Sequence, residues 1–209
     1  MGKRIATIVC HLALSMALFF AVLTGQCLAD QLALTPQGGI TASDARPFMI
    51  GWQFSVSSPV TVSGLAYYDL GSNGLTQSHQ VGIWDSRSST LLVSATVPSG
   101  TAASLVDAYR VAPVSYALGV GTYVIGGFTS GSDSSIMEAL SAVSAAGISY
   151  LEERQLSTSS FEMPTSHSGS DIGIFGPNFT VASAVPEPVT VLLLGFGLVG
   201  LVGVRRRQP

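Results

Sequence analysis

Between Asp30 and Ala184 the chain has no cysteine and no lysine. Cys10 and Cys27 both lie upstream, so this segment can hold neither a disulfide framework nor a cysteine nucleophile. Cations are scarce too: only Arg46, Arg87, Arg110 and Arg154 stand against eleven acidic residues, a net charge of seven negative. Nucleic-acid binding relies on neutralising phosphates with Lys and Arg, so no nucleic-acid partner is expected. There is no Gly-x-Ser-x-Gly elbow, no His-Glu-x-x-His, no phosphate loop and no Rossmann glycine pattern. The expectation is a protein without enzymatic activity.

What is present sorts into three parts. Lys3 and Arg4 precede an apolar stretch from Ile5 to about Leu23, interrupted by His11 and Ser15, and small residues Cys27 and Ala29 occupy the two positions a signal peptidase reads. This layout predicts a signal peptide over residues 1–29, removed before Asp30; the alternative is an uncleaved N-terminal anchor. Thr24, Gly25 and Gln26 do not make a lipobox before Cys27.

At the other end, Pro186, Glu187 and Pro188 are followed by an uncharged run of sixteen residues from Val189 to Val204 and then by Arg205, Arg206 and Arg207. The run is slightly shorter than the roughly 17 to 25 residues a helix needs to cross a bilayer. Snorkelling arginines and local thinning can make up the difference, so residues 189–204 are predicted to be a single transmembrane helix. The three arginines act as a cytoplasmic stop and place the bulk of the chain on the outer side. The two prolines hold Glu187 in an extended, accessible stretch, which is what a processing enzyme requires.

The middle part, residues 30–184, is rich in Ser, Gly, Thr, Val and Ala, a composition that favours strands and turns. Phe48, Ile50, Trp52, Phe54 and Val56 alternate with smaller or polar residues and predict a half-buried strand. Further strands are predicted at Val60–Asp69, with a bulge at Gly64, at Gln80–Asp85 and Thr90–Val97 as a hairpin, and at Ser104–Ala112, Gly121–Thr129, Ile148–Glu152 and Ile174–Val181. Gly176-Pro177 is expected to kink the last of these. Ile136, Ala139, Leu140 and Val143 have helical spacing and predict a short helix stopped by Gly147, while 157–171 reads as a long polar loop and 182–188 as the linker to the tail. The fold class is all-β, an antiparallel sandwich or jelly roll.

Candidate chemistry within this domain is sparse. His79, at the head of a strand, and His167, among small polar residues, are the two histidines beyond the predicted signal, and both read as structural or surface groups. Loss of activity in His79→Ala would be required of a hydrolase with a non-standard site. Asp69, Asn73 and Asp85 could offer oxygens to Ca²⁺, but the spacing of a calcium loop is missing and turn chemistry accounts for them. Alternation puts Trp52 in the core. Trp84 is out of phase with Val81 and Ile83, so Trp84, with Tyr67 and Tyr68, is the candidate for an exposed sugar-stacking platform. Trp84 and Tyr68 are the predicted ligand contacts of a carbohydrate-binding alternative.

The ordered triplet Pro186-Glu187-Pro188, apolar helix and arginine cluster resembles the PEP-CTERM sorting signal of Gram-negative bacteria. The resemblance implies recognition by a membrane-embedded exosortase, at least transient residence in the inner membrane, a final location in the envelope or outside the cell, and a role linked to exopolysaccharide and biofilm. The stretches Gly51-Trp52-Gln53-Phe54, Leu65-Ala66-Tyr67-Tyr68-Asp69 and His79-Gln80-Val81-Gly82-Ile83-Trp84-Asp85 resemble an uncharacterised β-sandwich module of exported bacterial proteins. That second resemblance supports the fold and carries no functional residues with it.

Overall fold

The computed structural model describes residues 28–43, 46–131, 133–167 and 173–184. These form a compact unit over Asp30–Ser183. The predicted transmembrane helix at 189–204, the Pro-Glu-Pro triplet and nearly all of the predicted signal peptide lie outside the described residues. Among the described residues no helix is long and apolar enough to cross a membrane.

The strands in chain order are β1 (Leu28–Leu32), β2 (Leu34–Gln37), β3 (Ile40–Ala42), β4 (Phe48–Val56), β5 (Val60–Tyr68), β6 (His79–Asp85), β7 (Leu91–Val97) and β8 (Ser104–Val106). They continue as β9 (Tyr109–Leu118), β10 (Gly121–Thr129), β11 (Ser135–Met137), β12 (Ser141–Ser144), β13 (Ile148–Ser157), β14 (Ile174–Phe175) and β15 (Pro177–Ala184). One five-stranded sheet has the order β1-β15-β5-β9-β8 and the other β13-β4-β10-β6-β7, with short sheets β14-β11-β3 and β12-β2 beside them. The architecture is the antiparallel all-β one expected.

The two large sheets face each other across an aromatic core. Trp52 of β4 stacks on Phe179 of β15, with ring centroids 5.7 Å apart, and Phe54 lies 5.0 Å from the same ring. The Trp52 indole N–H donates to the Pro177 carbonyl at 3.0 Å, so the largest apolar side chain also satisfies its one polar atom inside. Val62, Leu65, Ile83 and Ile125 complete the layer, all wholly buried. The alternation read from Phe48 to Val56 thus faces the partner sheet, at the predicted bounds.

Alternation on β5 is different, since both of its faces are covered. Leu65 and Tyr67 enter the main core, while Ala66 and Tyr68 join Leu32, Tyr109 and Val111 in a smaller cluster on the opposite face. The register of β5 slips between Val62 and Gly64, placing the expected bulge beside Gly64. An added Cβ there would lie 2.3 Å from Val111, which fixes the residue as glycine.

Three sequence-based expectations are corrected. The segment 136–143 is not a helix: it contributes β11 and β12 to two different small sheets, separated by a turn in which Glu138 has φ 51°. Its helical spacing was accidental, and Leu140, counted on the apolar face, is 82% exposed. The single strand expected over Ser104–Ala112 is a hairpin of β8 and β9 that turns at Asp107, φ 52°. The linker is shorter than expected because β15 continues to Ala184, after a break from β14 at Gly176.

Residues 158–167 have no strand of their own, yet they lie across the outer face of the second sheet. Gly51, Gly126 and Gly82 are directly opposite one another on β4, β10 and β6. A Cβ on Gly126 would meet Pro164 at 2.8 Å, and one on Gly82 would meet Phe161 at 2.9 Å. Gly82 and Gly126 leave the room that admits this segment, whereas a Cβ on Gly51 would meet the Ile125 carbonyl of β10.

Candidate functional site

His79 opens β6 and is wholly buried. Its ring stacks on Tyr67 of β5 at a centroid distance of 3.5 Å with 4° between planes. Nδ1 lies 3.0 Å from the Phe128 carbonyl and Nε2 lies 2.8 Å from Asp133 Oδ2. Both neighbours are oxygens, so each ring nitrogen is engaged inside the fold and neither faces solvent.

Asp133 sits in the connection from β10 to β11. Besides His79 it accepts from the Thr76 amide at 2.8 Å, the Thr76 hydroxyl and the Gln77 amide at 3.1 Å. Partial burial by itself would raise its pKa, but the Thr76, His79 and Gln77 hydrogen bonds outweigh it and hold the carboxyl below its ordinary value. The aspartate ties the 74–78 connection to the 130–134 connection, a role without a sequence signal, since it follows Gly131-Ser132 in a stretch without periodicity.

Around this knot lies a cleft of about 130 Å³ at the end of the sandwich. Its polar wall is Arg46, Thr129, Asp133, Ser135 and Gln155, and its apolar wall includes Phe48, Ile50, Met137 and Ile174. Arg46 stands over the Phe48 ring, 5.1 Å from its centroid. Behind the cleft, burial pushes the Tyr67 phenol up to about 12, with the hydroxyls of Thr129 and Ser135 acting weakly the other way.

The other sequence candidates are placed elsewhere. Asp69 is buried and accepts from Arg110 Nε at 2.7 Å and from the Gly74 amide at 2.9 Å. The rest of the guanidinium donates to the carbonyls of Ser72, Thr101 and Ala103, so this ion pair pins two connections together. Asp85 caps the β6–β7 turn, accepting from the Ser88 amide and hydroxyl, which lower its pKa. Asn73 ends the short 3₁₀ turn at 70–72. These are the turn roles weighed against calcium. Among the described residues no group of three His, Cys, Asp or Glu side chains is placed to hold a metal ion.

Trp84 and Tyr68 do not form an exposed platform. Trp84 is 4% exposed because Phe161, from the covering segment, lies 5.1 Å from its ring. Tyr68 is 9% exposed and packs edge-on to Tyr109. His167 has a half-exposed side chain, 3.8 Å from Glu152, on the polar segment where it was expected.

Comparison with known families divides the chain as its composition does. The model of a domain of unknown function, DUF4082, matches residues 33–166, and that of the PEP-CTERM protein-sorting motif matches residues 184–207. The second match covers Pro186, Glu187, Pro188 and Arg205 to Arg207, and marks the chain as an exported, membrane-transiting protein of the class that exosortases process. No match was found among curated proteins or solved structures. The first match begins just after β1 and ends before β14 and β15, so strands from outside it complete the first large sheet. With that match extending over well more than half of its 209 residues, the chain belongs to the DUF4082 family and ends in a PEP-CTERM protein-sorting motif.

Proposed function

We propose that the exported β-sandwich is a non-enzymatic structural or binding module of the cell envelope or extracellular matrix, sorted through its tail and linked to exopolysaccharide and biofilm. The observation that carries this reading is the sorting motif, joined directly to the last strand of a compact domain. The state of two buried titratable groups supports it. His79 has both ring nitrogens engaged and no exposure, and Asp69 is neutralised by Arg110, so each serves the fold. A catalytic base needs a free nitrogen or oxygen within reach of substrate. In this reading the signal peptide is removed before Asp30, the tail spans the inner membrane in transit, and an exosortase-type enzyme acts at Pro186 to Pro188.

Intact masses of protein recovered separately from the envelope and from the culture medium test this. The expected product begins at Asp30 and ends between Pro186 and Pro188. A product that keeps Arg205 to Arg207 and is found only in membranes overturns the processing step and leaves a tail-anchored protein.

A further inference from the structure

The cleft beside Asp133 has the chemistry of a small binding site. Its volume of about 130 Å³ is well below the roughly 300 to 1,000 Å³ of sites for drug-sized ligands, so it takes one small ring and not a chain. Thr129, Ser135 and Gln155 contribute two hydroxyls and an amide to the wall, groups that both donate and accept, and Phe48 and Met137 contribute apolar surface to it. Tyr67 adds a second sign. Its side chain is wholly buried and its hydroxyl has no hydrogen bond of normal geometry among the described residues, although Thr129 and Ser135 border it. A buried hydroxyl in that state is costly; Tyr67 is not itself a wall of the cleft, so a ligand reaches this network only through Thr129 and Ser135, which line the cleft and border the phenol.

Charge narrows the ligand. Arg46 and Asp133 both line the cleft, one cation and one anion, so the wall offers no net charge to an ionic ligand, and the acidic domain around it disfavours an anion. The Asp133 carboxylate already takes donors from Thr76, Gln77 and His79, so it has little to offer a cation. We propose that this cleft binds one neutral sugar ring, or a polyol of that size, with its apolar face on Phe48 and Met137 and its hydroxyls on Thr129, Ser135 and Gln155. So small a contact gives a Kd on the order of millimolar. This deepens the binding reading above and rests on it; terminal masses report sorting and ligand titration reports the cleft, so either can fail alone.

The test uses the full chain in detergent with ¹³C-methyl-labelled methionine, Met137 being identified by Met137→Leu. D-glucose and D-galactose are titrated to about 50 mM, some tens of times the expected Kd, with D-glucuronate as the charged comparison. The expected result is a saturable shift of the Met137 methyl with a neutral hexose, weakened about tenfold or more in Thr129→Val and in Gln155→Ala, the latter a partly exposed site that keeps its backbone bridge to Ser166. No Met137 shift with either hexose overturns the proposal. So does a shift with glucuronate alone, or one that both variants leave unchanged while their melting temperatures match the parent's.

Discussion

Both faces of the sheet β13-β4-β10-β6-β7 are covered, the inner one throughout and the outer one only around Gly82, Trp84 and Gly126, since Gln80, Ser94 and Thr96 on that face stay exposed. The inner face is closed by another sheet, with Trp52 and Phe54 against Phe179 and an indole N–H tied to the Pro177 carbonyl. That part of the outer face is closed by residues 158–167, whose Phe161 and Pro164 lie over Gly82 and Gly126 and beside Trp84. The first closure joins elements with continuous ladders of backbone hydrogen bonds. The second has one isolated backbone bridge, between Gln155 and Ser166, with the Arg154 guanidinium donating to the Thr165 carbonyl at 2.9 Å beside it. Part of a face can therefore be buried without being part of the cooperative core, and local opening is expected first where backbone pairing is thinnest.

Three substitutions separate the two closures. Trp52→Ala has the largest expected effect, about 3 to 5 kcal/mol by urea denaturation, because its stacked neighbours cannot collapse into the void. Trp84→Ala should cost less, roughly 2 kcal/mol, since the 158–167 segment can follow the truncated side chain. Equal losses at the two sites would erase the distinction. Gly126→Ala places a methyl 2.8 Å from Pro164 and 3.0 Å from Met49. It should cost about 1 to 2 kcal/mol and speed amide exchange and proteolysis in 158–167 without touching β15. Protection lost equally in both places would mean that the covering segment is integral to the core.

The smallest expected effect is with acid, at the end of the sandwich where neither closure reaches. Asp133 has a folded pKa below its ordinary value. Its contribution is present above about pH 3.9, the ordinary aspartate value, and is lost as pH falls through the folded one. Asp133→Asn should lower the urea midpoint at neutral and alkaline pH and flatten the fall in stability from about pH 5 to about pH 2, so that variant and parent converge in acid. An unchanged acid slope would show that the carboxylate does not couple to folding. At the alkaline end the sign reverses. Tyr67 is pushed up to about 12, so its contribution holds below pH 10 and is lost as pH rises toward 12.

The inner closure was legible in the sequence and the outer one was not. Period-two alternation from Phe48 to Val56 marks a buried face because every second residue is large and apolar. The outer face carries Met49, Gly51 and Gln53 on β4, and nothing in that mixture distinguishes a wet surface from one covered by a remote loop. Trp84 was misplaced for the same reason: out of phase with Val81 and Ile83 means the other face, and the other face was assumed to be wet. Gly51, Gly82 and Gly126 were the available signal, since glycine inside a strand marks a close approach, but their alignment exists only once the register is known. The His79–Asp133 pair shows the limit for the candidate site. His79 was visible as one of few histidines, whereas its partner is 54 residues away in a serine- and glycine-rich stretch without periodicity. The sorting tail needed no fold to be read, because its information is in the order of its parts.

The chain has two tryptophans, and the fold assigns one to each closure. Trp52 is screened by strands of both large sheets, and Trp84 by a segment expected to open before the sandwich does. Intrinsic fluorescence therefore has two independent channels built into it. Quenching by acrylamide that reaches half of the emission, with the other half still blue-shifted, would time the opening of the cover against the melting of the sandwich without any label.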